Sequence, residues 1–130
     1  MGNAKINNFT DLKVWQEAHK LVLVIYKITE NFPKHEQFGL VSQIRRAVVS
    51  ITSNIAEGFS RATLKDKLKF YVMAHGSLTE VENQLIIARD LLYLDKTNYE
   101  TISEQLLYTH KILNSFIRST NALAINSPSF

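Results

Sequence analysis

Residues 42–60, Ser-Gln-Ile-Arg-Arg-Ala-Val-Val-Ser-Ile-Thr-Ser-Asn-Ile-Ala-Glu-Gly-Phe-Ser, read as a helix without an ordinary solvated side. Leu40, Ile44, Val48, Ile51 and Ile55 recur at helical spacing and form one apolar stripe. The opposite face carries Ser42, Val49, Ser53 and Ala56, and Arg46 is its one charge. A water-facing helix surface is normally rich in Lys and Glu. A face of small residues implies close packing by a neighbour, and in a chain of 130 residues the natural neighbour is a second copy.

Glycine and proline are scarce and fall where helices should break. A first helix is expected from about Asp11 to Asn31, capped by Thr10 or Asp11. Leu12, Trp15, His19, Val22 and Tyr26 form one stripe on it, and Val14, Ala18, Leu21, Ile25 and Ile28 form a second. Phe32-Pro33 ends it, because a residue before proline avoids the helical region. The second helix follows Gly39 and ends near Gly58–Ser60, where a glycine suits a left-handed cap. The third runs from Thr63 to about Tyr93, with Phe70, Ala74, Leu78, Val81, Leu85, Ala88 and Leu92 inward. The fourth spans about Tyr99–Ser119, with Ile102, Leu106, Leu113, Phe116 and Ile117 inward. No strand alternation or internal repeat interrupts the pattern.

The expected architecture is therefore all-α: an antiparallel up-down-up-down four-helix bundle that self-associates. Residues 9–120 form the bundle, 1–8 an N-terminal extension, and 121–130 a flexible tail. The chain length fits one domain. With no cysteine, disulfides and thiol catalysis are excluded. The longest apolar run, Leu21–Tyr26, is too short to span a bilayer, and Met1–Asn8 lacks a signal-peptide core. The expectation is a cytoplasmic protein with no membrane partner.

No catalytic constellation is recognisable. His19, His35, His75 and His110 lie one per region, and none belongs to a Glu-x-x-His or His-Glu-x-x-His motif. The glycines are isolated, so no phosphate-cradling loop exists, and no Gly-x-Ser-x-Gly elbow occurs. No enzyme activity, metal or cofactor is expected. Gln43, Ser50, Asn54, Glu57 and Arg61 line one flank of the second helix, and His75, Glu82 and Arg89 recur every seven residues on the third. A hydrogen-bond network fixing helix register is favoured over a ligand pocket, with Glu82 or Glu57 as a partner for Arg45.

The formal net charge is +3, unevenly spread. Residues 1–70 hold 11 Lys/Arg against 6 Asp/Glu, and residues 71–130 hold 4 against 6. The densest basic segment is Arg61–Lys69, with Arg61, Lys65, Lys67 and Lys69 against Asp66. Such a cluster can meet phosphate, or it can be a solvated helix start. The five tyrosines are dispersed and build no base-stacking row, so any nucleic acid would be held through phosphate.

Four segments, Phe9-Thr-Asp-Leu-Lys-Val-Trp-Gln-Glu-Ala, Phe38-Gly-Leu-Val-Ser-Gln-Ile-Arg-Arg-Ala, Ser53-Asn-Ile-Ala-Glu-Gly and Gly76-Ser-Leu-Thr-Glu-Val-Glu, resemble the four-helix-bundle proteins encoded in intervening sequences of bacterial 23S ribosomal RNA genes. The resemblance covers about residues 9–119. The fold is also similar to the pentameric, basic accessory protein of diversity-generating retroelements, which works with a reverse transcriptase. The modest net charge makes the intervening-sequence family the closer match. The resemblance implies a homopentamer, an association with nucleic acid and no established enzymatic activity. The family motifs fall on Gln43, Arg45, Arg46, Asn54, Glu57, Gly58, Ser77 and Glu80.

Three readings follow. In the leading one, Arg45, Arg46, Arg61, Lys65, Lys67 and Lys69 contact RNA or DNA phosphates, while Gln43, Asn54, Glu57, Ser77, Glu80 and Glu82 form a structural polar network. A ring of subunits would multiply a weak patch into an avid one. The second is a scaffold for a protein partner such as a nucleic-acid-processing enzyme. The third is a small-molecule site between the second and third helices.

Overall fold

In the computed structural model, which describes residues 5–126, four helices carry the fold: α1 (Lys13–Thr29), α2 (Leu40–Phe59), α3 (Leu64–Asp90) and α4 (Lys96–Asn126). Short 3-10 turns, Phe9–Asp11 and Lys34–Glu36, precede α1 and α2. There is no strand among the described residues. Each helix packs on the two beside it, in the closed order α1–α2–α3–α4–α1. Among the described residues no helix is long and apolar enough to cross a membrane. The terminal segments expected at 1–8 and 121–130 lie partly, at 1–4 and 127–130, outside the described residues.

The core follows the expected stripes. Val14, Ala18, Leu21 and Ile25 of α1 meet Ile44, Val48, Ile51 and Ile55 of α2, Ala74, Leu78, Val81, Leu85 and Ala88 of α3, and Ile102, Leu106 and Leu113 of α4. The Leu12–Trp15–Val22 stripe of α1 is half-buried, and Tyr26 is exposed. On α3 the buried aromatic is Tyr71, with Phe70 half-buried. The two rows are adjacent, and it is the Tyr71 ring that faces α2 and Phe116 of α4.

Several boundaries differ from expectation, each for a visible reason. Asn8 and Asp11 form a reciprocal capping box around the first 3-10 turn, so the polar caps act before α1, which starts from an extended Leu12 with no side-chain cap. α1 ends at Thr29, whose hydroxyl donates back to the Ile25 carbonyl at 2.7 Å. α3 ends at Asp90, and Leu92 turns out of the helix with φ 65°. Its side chain is 87% exposed instead of closing the buried stripe. Asp95 accepts the Asn98 amide at 2.7 Å, which starts α4 earlier than expected, and α4 runs past Ser119 to Asn126.

Gly58 is not a left-handed cap: no described glycine has positive φ. It is a buried position inside α2 where α3 comes close, and a Cβ there would stand 2.6 Å from Tyr71 Cε1. α2 ends instead with the Ser60 amide bonding back into the last turn, and with the Lys67 ammonium donating to the Phe59 carbonyl. A cation at a helix C-terminus also opposes the negative end of the dipole. At the other end of α2, Glu36 accepts the Leu40 amide at 3.1 Å and the Tyr93 hydroxyl at 2.8 Å. These bonds, the Leu40 amide first, hold the Glu36 carboxyl below its ordinary range, and they tie the loop before α2 to the turn after α3.

Candidate nucleic-acid interface

The six cations singled out from the sequence do not form one patch. Arg45 and Arg46 sit near the start of α2, and Arg61, Lys65, Lys67 and Lys69 cluster around the α2–α3 turn. Residues 46 and 59 of α2 are about 20 Å apart along the axis.

Four of the six are engaged within the chain. Arg45 pairs with neither Glu82 nor Glu57. Its Nε donates to the Thr29 hydroxyl at 2.9 Å, its Nη2 to the Tyr26 carbonyl at 3.2 Å, and the guanidinium lies 4.6 Å from the Tyr26 ring centre. It caps the end of α1, which a helix C-terminus favours. Arg46 forms an ion pair with Glu80 and bonds Gln43. Arg61 pairs with Glu57 at 2.6 Å and lies over the Phe70 ring. Lys67 caps α2 and lies over Phe59.

Lys65 and Lys69 differ. Both are exposed, one helical turn apart on α3, and neither has a hydrogen bond or ion pair to a described residue. Leu68, Val72 and Met73 lie beside them in a shallow apolar depression. Lys65 also stands in the first turn of α3, where a cation opposes the helix dipole. Helix stability therefore does not account for it.

The structure separates the expected polar network into pieces along the α2–α3 seam. Gln43, Arg46, Glu80 and Gln84 form one chain of contacts. Gln84 Oε1 is a buried side-chain polar atom with no partner among the described residues. Ser50 and Ser77 share a 2.9 Å hydrogen bond, and Asn54 donates to the Ser50 carbonyl and hydroxyl. Glu57 and Arg61 form the third piece. Glu82 lies elsewhere, lining a depression between α3 and α4 with Tyr99 and Ser103. As α2 is followed from residue 46 to 50, 58 and 59, its partners on α3 descend from 80 to 77, 71 and 67.

Two polar features were not singled out from the sequence. Glu17 is only 6% exposed on the α1–α4 seam. Its carboxylate accepts from Lys20 at 2.7 Å, and its side chain and carbonyl both accept from the Gln105 amide. The Lys20 ammonium, then Gln105, holds the carboxyl below its ordinary value of 4.5 against the opposing effect of burial. A depressed folded value means stability that is present above 4.5 and disappears as pH falls through that lower folded value. We expect Glu17→Gln to melt below the native chain at neutral pH, and the gap to narrow as the pH drops below 4.5. A gap independent of pH in thermal melts would remove the carboxylate charge from the explanation. The second feature is the meeting of His75 and His110 across α3 and α4. Their separation in sequence, 35 residues, matches no short motif, so only the packing brings them together.

The comparisons with known proteins agree with this architecture. A family model described as 23S rRNA-intervening sequence protein matches residues 10–115. A crystal structure of a protein with unknown function from the S23 ribosomal protein family of Bacteroides thetaiotaomicron VPI-5482 is similar to this chain at 25% identity with a TM-score of 0.72. The match covers 80% of this chain and 97% of that one. No curated protein sequence matches. With a family model that spans most of the four-helix bundle, the chain belongs to the 23S rRNA-intervening sequence protein family.

Proposed function

We propose that this chain is a non-enzymatic module that assembles with copies of itself and binds RNA or DNA through phosphate contacts. The observation that carries the binding reading is the pair Lys65 and Lys69, exposed, one turn apart and unneutralised. Lys65 at a helix start adds its charge to the positive end of the dipole, a combination suited to anions. Arg61 and Arg46 each carry a carboxylate alongside that weakens their field toward an anion, so they take a lesser part.

Self-association is supported at the end of the bundle that holds the α1–α2 loop and the α3–α4 turn. Phe38 is 91% exposed there, and Leu92 projects outward from a left-handed backbone. That conformation costs a non-glycine residue about 1–2 kcal/mol. A large apolar side chain held there in water gains nothing inside its own chain, and a neighbouring subunit would supply the missing burial. The descending register along α2 and α3 supports the antiparallel up-down-up-down arrangement within each subunit. A pentamer rests on the family resemblance.

Binding to labelled structured RNA and duplex DNA, titrated with salt, tests the reading. Each neutralised phosphate on a duplex contributes a slope of about −0.9 in log K against log salt. The double variant Lys65→Glu/Lys69→Glu should lose binding while its mass by light scattering stays that of the native assembly. Lys67 is left in place because it caps α2. Unchanged binding by the double variant would remove this segment from the account.

A second reading, a scaffold for an acidic protein partner, is favoured by Leu68, Val72 and Met73 beside the two lysines. A defined partner retained after nuclease treatment, together with no binding to either nucleic acid at low salt, would put this reading first.

A further inference from the structure

His75 of α3 and His110 of α4 face each other with their Nε2 atoms 3.0 Å apart and ring centroids 4.8 Å apart. Both side chains are half-buried, so the pair sits at the surface of the α3–α4 seam, open to solvent on one side. A hydrogen bond between the rings satisfies one nitrogen of each. Neither Nδ1 is bonded to a described residue.

The same geometry fits two ligands on one metal ion. With metal–nitrogen bonds of about 2.0–2.1 Å, two adjacent imidazole nitrogens stand about 2.9 Å apart at a right angle and about 3.3 Å apart at a tetrahedral angle, with ring centroids about 4.5–5.2 Å apart. Both observed distances fall inside these ranges. An N–H···N hydrogen bond between two imidazoles gives the same separation without a metal, and the metal-bound state differs in turning both Nε2 lone pairs toward one ion. We propose that His75 and His110 form a two-histidine site for a borderline divalent transition-metal ion of the Zn2+, Ni2+ or Cu2+ class, clipping α3 to α4.

Two neutral imidazoles select this class over Mg2+ and Ca2+, which take oxygen ligands. Among the described residues no third His, Asp or Glu joins the pair, so water or an added ligand fills the remaining positions. With no protein acceptor on either Nδ1 to fix ring orientation, binding should be reversible and weaker than at a closed four-ligand site. The proposal is independent of nucleic-acid binding, because the pair is separate from Lys65 and Lys69.

Isothermal titration of the full chain with Ni2+ and with Zn2+ tests it, with Mg2+ as the contrast. The expected result is saturable binding of one transition-metal ion per chain, no heat with Mg2+, and a rise in melting temperature on metal addition. His75→Ala and His110→Gln should each abolish the binding, and His35→Ala should leave it intact. His110→Gln keeps a hydrogen-bonding side chain toward His75, and circular dichroism before titration confirms that each variant is folded. No saturable binding by the native chain would overturn the proposal. Binding that survives both substitutions would overturn it as well, by placing the ion elsewhere.

Discussion

Gly58→Val should destabilise the bundle by about 2–3 kcal/mol, read as a fall in the urea midpoint at unchanged slope. The position is buried in α2, and an added Cβ would meet Tyr71 Cε1 at 2.6 Å, Tyr71 Cδ1 at 2.9 Å and Phe70 Cβ at 3.0 Å. The Tyr71 ring is 2% exposed and lies 4.6 Å from the Phe116 ring, so it has nowhere to retreat. Replacing glycine inside a helix ordinarily gains up to about 1 kcal/mol, with valine gaining less than alanine. Here steric overlap outweighs that gain. Gly58→Ala should sit between the native chain and the valine variant. A valine variant as stable as the native protein would mean that α2 and α3 do not approach as closely as this geometry requires.

Leu78→Ala should cost about 2–5 kcal/mol, against a total stability of about 5–15 kcal/mol for a domain of ordinary size. Leu78 is fully buried in the middle of α3, which packs on both α2 and α4, so the void has walls on several sides. A closely packed interior relaxes only partly into such a void, and the cavity adds to the lost burial. The contrast is Leu92→Ala on the same stretch of sequence. Leu92 is exposed in the isolated chain, and its truncation should shift monomer stability by no more than about 0.5 kcal/mol. Denaturation of the two variants side by side separates a core leucine from a surface one. Similar losses would contradict the burial pattern.

Much of the fold was legible because helical periodicity is a property of the sequence itself. Ile44, Val48, Ile51 and Ile55 had to share a face, and Ala74, Leu78, Val81, Leu85 and Ala88 likewise. What failed was local competition. Asn8 preceded the expected cap residues and used Asp11 in its own box, which no periodicity reports. Leu92 fits the apolar spacing, but the backbone reverses there, and the reversal is decided by the Ala88 carbonyl accepting the Tyr93 amide. Gly58 carried a signal for a helix end and acts as a point of close approach, since a missing side chain serves both purposes.

The candidate interface was legible as composition and not as chemistry. Counting Arg45, Arg46, Arg61 and Lys67 as free cations overlooked the carbonyls, carboxylates and rings that folding brings beside them. A sequence gives the number of charges, and tertiary contacts decide which remain available. The His75–His110 pair and the Gln105 contact of the buried Glu17 illustrate the converse, since they join residues 35 and 88 positions apart.

The order of helices around the ring sets the order in which closing the fold is entropically easy. Only residues 60–63 connect α2 to α3, so their seam can zip from the turn with little loss of chain freedom. The α1–α4 seam joins Glu17 to Gln105, 88 residues apart. From an unfolded chain, loop-closure entropy makes that second contact costlier than a four-residue closure by about 2–3 kcal/mol. The polar contacts of Glu17 thus close the ring at its entropically most expensive joint, where the chain has the most freedom to lose.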